Sequence, residues 1–406
     1  EILKATACSS AAGGLRLAVI GLVPDYTTKA GYLAALGAGA KVVGSFSYEL
    51  TKSELRELED TRPDIVLLTG GTDGGNRRAI VHNANALASS SVRNIIVAGN
   101  KSARDDVEAA FESSGKTVTY SPNVMPEFGK LELDPVNERI REIFISRITD
   151  AKGIARAGGI ISGVVMPTPA AVLEAAKLIS GGAGDEPGLG ELLLIDVGGA
   201  TTDVCSIAAG TPRGGVHLLG LREPYAKRTV EGDLGLYRNL DTLAALTLEN
   251  SASASRAPDA LPDSERADFG AGVEALRAGL SIPEDDRLTR YQLMLTRAAV
   301  KTAARRHAGY IEPVHTPDGE VWIQRGKDLS GIKLVIGAGG PLSFSADPRF
   351  VLSGAAASAE APDILAPRDP RYALDSKYIL FAVGLLAQSE PVKALRIAKK
   401  YLTYLL

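Results

Sequence analysis

The segment LLLIDVGGATTDV, Leu192–Val204, holds the residues best suited to chemistry. An apolar run ends in Asp196, and an acid at the end of a buried strand is costly unless a cation or hydrogen-bond donors meet it. Gly198 and Gly199 add no Cβ and can take positive φ, so backbone N–H groups can approach an anion. Thr201 and Thr202 supply hydroxyls, and Asp203 is a second acid that orients the loop. A hydrated Mg²⁺ held by Asp196 beside phosphates suits this set, because Mg²⁺ takes one or two carboxylates and keeps most of its waters. The competing reading is a β-hairpin whose Asp and Thr side chains bond their own backbone.

Two more glycine turns follow apolar runs. VIGAGGPL, Val335–Leu342, offers Gly337, Gly339 and Gly340 either as bare backbone under a flat ring or ribose, or as an ordinary strand-to-helix turn. LLTGGTDGGN, Leu67–Asn76, places Thr72 and Asp73 after paired glycines. It reads equally as an anion site before a helix and as a tight turn, with no ligand to name. In RTVEGDLG, Arg228–Gly235, Glu231 and Asp233 are acids expected in a loop, suited to polarising water or holding a metal shell. Glu231 is equally suited to capping a helix.

The elements that position these residues follow from the apolar pattern. Leu15–Val23, Lys41–Phe46, Asp64–Gly71 and Arg93–Asn100 read as strands. Between them Thr27–Ala40, Thr51–Pro63 and Arg77–Ala88 read as helices, and Ser102–Gly115 follows as another. Thr51 with Glu54 three residues later forms a capping-box pattern. This β-α-β-α alternation predicts a mostly parallel sheet covered by helices. Further helices are expected over Asp134–Ile148, with Val136, Ile140, Ile143 and Phe144 on one face, and over Thr168–Ser180. Gly181–Gly190 reads as a surface connection near a domain boundary, and Glu249–Asp268, rich in Ser, Ala, Pro and Asp, as a mobile loop. Arg287–Ile311 reads as a long helix, Asp375–Gln388 as a helix capped by Asp375, and Glu390–Leu406 as a last helix opened by Pro391. No repeat of 20–50 residues is present.

At 406 residues, two or three domains are expected. The composition, 45% hydrophobic and 23% charged, is that of a soluble globular chain. A net charge of −3 argues against nucleic-acid and membrane-surface partners, which select a basic excess. Cys8 and Cys205 stand far apart, giving no disulfide framework, CxxC or zinc pattern. His82, His217, His307 and His315 share no metal-ligand spacing. No apolar run reaches the ~18 residues of a membrane span, and no signal peptide is visible, so a cytoplasmic location is expected. The first residue is Glu1, and a missing N-terminal segment is expected.

MPTPAAVLEAAKLI followed by LLLIDVGGATTDV resembles the actin/Hsp70/sugar-kinase superfamily, in which a Pro-containing helix precedes a second phosphate loop. VIGAGGPL looks like that superfamily's adenosine motif, and YILFAVGLLAQ, with Gly384, like its late connecting helix. Within it, CSSAAGGLRLAVIGL, DIVLLTGGTDGGN, MPTPAAVL, DVGGATTDV, RTVEGDLG and GKDLSGIKLVIGAGG resemble the glutamate mutase accessory proteins called MutL or GlmL. These are distinct from the mismatch-repair protein of the same name, and no DNA-repair signature is present. The resemblance implies an α/β, actin/Hsp70-like nucleotide-binding fold with an additional parallel α/β region in the N-terminal part. It also implies an N-terminal hairpin with a first phosphate loop, expected to be missing here. The domains expected are residues 1–160, an α/β domain with flavodoxin-like alternation and an incomplete first lobe; 161–375, a second lobe with the phosphate loop and adenosine motif; and 376–406, C-terminal helices returning to the first lobe.

The resemblance further implies an ATP-dependent reactivating, chaperone-like accessory protein for an adenosylcobalamin-dependent carbon-skeleton mutase such as glutamate (methylaspartate) mutase. An Mg²⁺-dependent ATPase is expected when the full-length chain is present. Its partners would be mutase subunits and nucleotide, and a homodimer is among the expected assemblies. In that scheme Asp196 holds Mg²⁺; Gly198, Gly199, Thr201 and Thr202 meet the β/γ phosphates; Gly337, Gly339 and Gly340 hold adenosine; and Glu231 and Asp233 assist hydrolysis. The alternatives are a small-molecule kinase of the same fold and a non-catalytic nucleotide-fold scaffold. An iron–sulfur activator of a radical dehydratase would need cysteines pooled across a dimer.

Overall fold

The computed structural model describes residues 5–9, 15–151, 164–253, 259–279, 283, 285–317 and 319–406. The chain divides into two units, Glu1–Leu173 with Gly220–Pro224, and Glu174–Leu219 with Tyr225–Leu406. The expected boundary at residue 160 falls outside the described residues.

The first unit is built on a five-stranded, wholly parallel sheet in the order Lys41–Ser47, Arg16–Gly21, Ile65–Leu68, Asn94–Val97, Thr117–Tyr120. Alternate residues of a strand face opposite sides, and here both sides are apolar. Leu17, Val19, Ile65, Leu67 and Ile96 pack with Ala30, Leu33 and Ala34 of the helix Lys29–Gly37 and with Val136, Ile140 and Phe144 of the helix Asp134–Ala151. Ala18, Ile20, Val66, Leu68, Ile95 and Val97 pack with Leu58, Ile80, Ala84, Leu87, Val107 and Phe111 from the helices Lys52–Asp60, Arg78–Ala88 and Arg104–Phe111. A sheet buried on both faces needs near-continuous apolar strands, as IVLL and NIIV are. The Thr51 capping box forms: Thr51 Oγ1 accepts from the Glu54 N–H at 3.2 Å, and Glu54 Oε2 accepts from the Thr51 N–H at 2.9 Å. Hydrogen bonds from Thr51 hold the Glu54 carboxyl below its ordinary range.

The second unit carries a mixed six-stranded sheet in the order Ala226–Glu231, Thr202–Ile207, Leu192–Val197, Leu334–Ala338, Arg371–Asp375, Leu402–Leu405. The first three strands pair antiparallel with one another, Leu192–Val197, Leu334–Ala338 and Arg371–Asp375 run parallel, and Leu402–Leu405 returns antiparallel at the far edge. The 22-residue helix Asp286–His307 packs Tyr291, Leu295, Ala299 and Val300 into a core shared with Leu193, Ile195 and Val197. A smaller sheet joins Val216–Leu218, Gly319–Arg325 and Tyr310–Thr316.

Three local expectations change. The Gly181–Gly190 connection contains a short antiparallel pair, Gly182–Ala183 with Glu186–Pro187. The stretch expected as a mobile loop, Glu249–Asp268, is helical through Ser253 and again over Asp263–Arg266, while residues 254–258 lie outside the described set. Its polar residues are tertiary anchors. Ser251 Oγ accepts from the Leu261 N–H at 2.8 Å and from Arg266 at 2.9 Å, and Asp259 accepts from Arg297 at 2.5 Å and Lys301 at 2.7 Å. The C-terminal segment groups with the second unit, and its helix ends at Tyr401 before the strand that pairs with Arg371–Asp375.

Candidate functional site

The hairpin of Leu192–Val197 and Thr202–Ile207 sets Asp196 opposite Asp203, and the parallel neighbour sets Ala338 beside Asp196. DVGGATTD and VIGAGG therefore leave adjacent strands at one edge of the sheet. Asp375, ending the next parallel strand, reaches the same edge.

Charge at this edge is unevenly satisfied. The Asp203 carboxylate accepts from Arg228 Nε at 2.8 Å, from Arg228 Nη2, and from Thr201 Oγ1 at 3.2 Å. The Arg228 side chain is 2% exposed and sits one strand further out. Asp375 accepts from the Ile379 and Leu380 N–H groups at 3.0 and 2.8 Å, yet burial still lifts its pKa. Asp196 receives no hydrogen bond among the described residues. Burial first, then the charges of Asp203 and Asp375, push its pKa up to about 7, against an opposing pull from Arg228. A partly buried carboxylate without donors holds either a proton or a cation. Mg²⁺, which needs only one or two protein carboxylates, fits that donor set. No cluster of three or more His, Cys, Asp or Glu side chains suited to a metal is found among the described residues.

The glycines act differently from the expectation. Gly198 and Gly199 do not take positive φ. Their role is close approach: the N–H groups of Leu236, Tyr237 and Arg238 donate to the Gly198 and Gly199 carbonyls at 2.9–3.1 Å. A Cβ on Gly199 would lie 2.8 Å from the Tyr237 ring. The Gly198 N–H closes the turn on the Thr201 carbonyl at 2.9 Å, leaving the N–H groups of Gly199, Ala200 and Thr201 without a protein acceptor among the described residues. Thr202 Oγ1 donates to the buried Leu234 carbonyl at 2.7 Å. Of the second motif, Gly339 meets the acid directly. Its φ is +90°, and a Cβ there would lie 2.1 Å from the Val197 carbonyl oxygen and 2.5 Å from Asp196 Oδ1. Gly337 is packed against Leu352, whereas Gly340 has open space around it.

Glu231 ends its strand opposite Thr202, so it caps no helix. Arg306 gathers both suspected acids: Nη1 donates to Glu231 Oε2 and Asp233 Oδ1, each at 2.8 Å, and Nη2 to Asp233 Oδ2 at 3.0 Å. The Arg306 hydrogen bond holds the Asp233 carboxyl below its ordinary range. Nothing local in ARRH marks this partner, which lies more than seventy residues downstream. Behind the sheet, the buried His307 ring bonds Ser206 Oγ and Thr229 Oγ1, each at 2.8 Å, and Lys327 Nζ donates to the Tyr225 carbonyl at 2.7 Å. These polar ties fix the strand that carries Arg228.

Residues 1–402 match the family model described as MutL protein. The chain belongs to that family. A MutL-family relative, "Protein MutL" of Clostridium tetanomorphum, is 43% identical over 405 residues, covering 99% of this chain and 86% of the relative. The family expected from the residues is thus the family found. The third glycine turn, Leu67–Asn76, belongs to the first unit of this MutL-family chain. No helix among the described residues is long and apolar enough to cross a membrane.

Proposed function

We propose that this MutL-family protein is an ATP-dependent accessory factor of a glutamate mutase system, with an actin/Hsp70-like nucleotide fold in its second unit. The observation that carries the proposal is Asp196: a carboxylate without hydrogen-bond donors, its pKa lifted to about 7, beside a turn with three N–H groups lacking protein acceptors. Carboxylates so perturbed concentrate at functional sites. Asp196 would hold Mg²⁺; the unused N–H groups of Gly199, Ala200 and Thr201 would face the phosphates, with Gly198 closing the turn and Thr202 fixing it from below. Gly339, flanked by Gly337 and Gly340, would keep the adenosine side open. Mg²⁺ when bound supplies electrostatic neutralisation of phosphate oxygens. Arg228 keeps Asp203 and Thr201 in place, and Glu231 and Asp233 would stand ready near the loop in the grip of Arg306.

The family relationship supports a role with the mutase, and reactivation of a mutase that has lost intact cobalamin is the activity proposed. A second reading, a nucleotide-fold scaffold without turnover, draws support from Arg306, which occupies both acids otherwise suited to activating water. The deciding experiment is Mg²⁺-ATP hydrolysis by the full-length product and by Asp196→Ala, together with recovery of an inactivated mutase in the presence of ATP. Turnover lost in the variant, with ATP-dependent recovery, supports the first reading. Nucleotide binding without turnover selects the scaffold, and neither binding nor turnover removes the nucleotide from both.

A further inference from the structure

The parallel sheet of the first unit has a second place where chemistry can be done, independent of Asp196. Its chain path starts at Arg16–Gly21, moves to Lys41–Ser47 on one side, then crosses to Ile65–Leu68 on the other. At such a reversal the loops leaving the carboxyl ends of adjacent strands diverge, and open α/β sheets bind ligands there. Leu22 follows one of these strands and Thr69–Thr72 the other; a Cβ on Gly70 would lie 3.5 Å from the Leu22 nitrogen.

The loop is fixed, yet three of its donors are not used. The Asp73 N–H donates to the Pro126 carbonyl at 2.9 Å, the Gly75 N–H to Thr72 at 2.9 Å, and the Gly74 N–H to Asn100 Oδ1 at 3.1 Å. Asn100 Nδ2 donates back to the Gly75 and Asn76 carbonyls at 3.0 and 3.1 Å. The N–H groups of Gly70, Gly71 and Thr72 meet no acceptor among the described residues, although Gly70 and Gly71 are buried. Buried N–H groups without acceptors are rare in folded proteins. The neighbouring acid is already partnered. Asp73 Oδ1 accepts from the Lys101 N–H and Asn123 Nδ2, each at 3.0 Å, and Oδ2 faces Lys101 Nζ at 3.6 Å.

Aromatic rings flank the same loops. Tyr48, 59% exposed, has φ +67°, an outlier for a bulky residue. Its N–H donates to the Leu22 carbonyl at 3.2 Å and its carbonyl accepts from Asn83 at 2.8 Å. On the other flank Tyr26 packs at a 40° tilt against the exposed Phe128, centroids 4.7 Å apart, two residues beyond the Pro126 that receives the Asp73 N–H. We propose that this edge binds a phosphate monoester carried on a planar ring, a ligand of the mononucleotide class. The phosphate takes the Gly70–Thr72 N–H groups, and the ring lies on Tyr48.

The test is titration of the intact chain with FMN and AMP, each beside its unphosphorylated counterpart, riboflavin and adenosine, and beside inorganic phosphate. FMN or AMP is expected to bind at least about tenfold more tightly than its counterpart and than phosphate. Tyr48→Gly, which suits the positive φ while deleting the ring, is expected to weaken binding about tenfold. The proposal is overturned if neither probe binds below about 1 mM, if the phosphate or the ring makes no difference, or if folded Tyr48→Gly binds both probes as tightly as the wild type. Circular dichroism of Tyr48→Gly checks that its loss is not unfolding.

Discussion

Asp196→Asn should stabilise the second unit, and by an amount that grows with pH. The wild-type carboxyl titrates near 3.8 when unfolded and at about 7 when folded. Below pH 4 both states hold the proton and nothing is lost. Between pH 4 and 7 the folded state alone keeps it, so stability falls as pH rises and levels off above the folded value. At about 1.4 kcal/mol per pH unit the full loss is about 4 kcal/mol, of which roughly 3 kcal/mol develops between pH 5 and 8. Asparagine has the same shape and carries no charge at any pH, so it escapes this loss. Denaturant unfolding followed by the single tryptophan, Trp322 in the second unit, would measure it. The expected result is a variant more stable than wild type, with a gap wider by about 2–3 kcal/mol at pH 8 than at pH 5. Taking the difference between the two proteins cancels every other titrating group. A gap that stays flat across this range would mean that Asp196 is already ionised in the fold, and the electrostatic account of the site would fail. Under the proposed function, Mg²⁺ narrows the gap at pH 8 by stabilising the ionised wild type.

Gly339→Ala should cost upwards of about 3 kcal/mol, because its Cβ strikes the Val197 carbonyl at a positive φ, while Gly340→Ala, in open space, should change stability by less than about 0.5 kcal/mol; paired urea titrations compare them. Asp259→Ala removes the carboxylate shared by the nearly buried Arg297 and Lys301, leaving Arg297 with the Phe350 carbonyl and Ser353 and Lys301 with Glu360, and should cost about 3 kcal/mol in the same assay. Burial pushes the Cys205 thiol up to about 12, so at pH 8 iodoacetamide should label Cys205 only in denaturant. Peptide mass spectrometry reads this directly, and native labelling of Cys205 would contradict the packing described.

The first unit was legible because both signals that define it are local. Short apolar runs such as IVLL and NIIV alternate with helix-period segments, and Thr51 with Glu54 announces a helix start. Asp196 was legible for a similar reason, since an acid after LLLI violates the pattern around it. The partners that determine its charge state were not. Arg228 reaches Asp203 and Arg306 reaches Asp233 through strand register and helix packing across 25 and 73 residues, which leave no mark in any short window. Composition misled where polar residues are tertiary anchors, as with Ser251 and Asp259. The glycines were recognised but partly for the wrong reason: Gly199 is required by the Tyr237 ring above it, which only the folded chain reveals. LTYL was read as helix because it continues an apolar face, and becomes a strand because Arg371–Asp375 offers it an edge.

The long helix Asp286–His307 is anchored at two places along its length. Its last turn is held by Arg306 to the two acids and by His307 to two strands of the hairpin sheet, while Arg297 and Lys301 tie its middle to Asp259. At about 1.5 Å per residue its first turn lies roughly 30 Å from Arg306. With the middle held by Asp259, a tilt of about 5° about that anchor would carry the far end, roughly 16 Å away, through about 1.5 Å, within the range of helix shifts that accompany switching. A ligand that competed with Arg306 for Glu231 and Asp233 would therefore be felt at Asp286 and Arg287, at the other end of the helix.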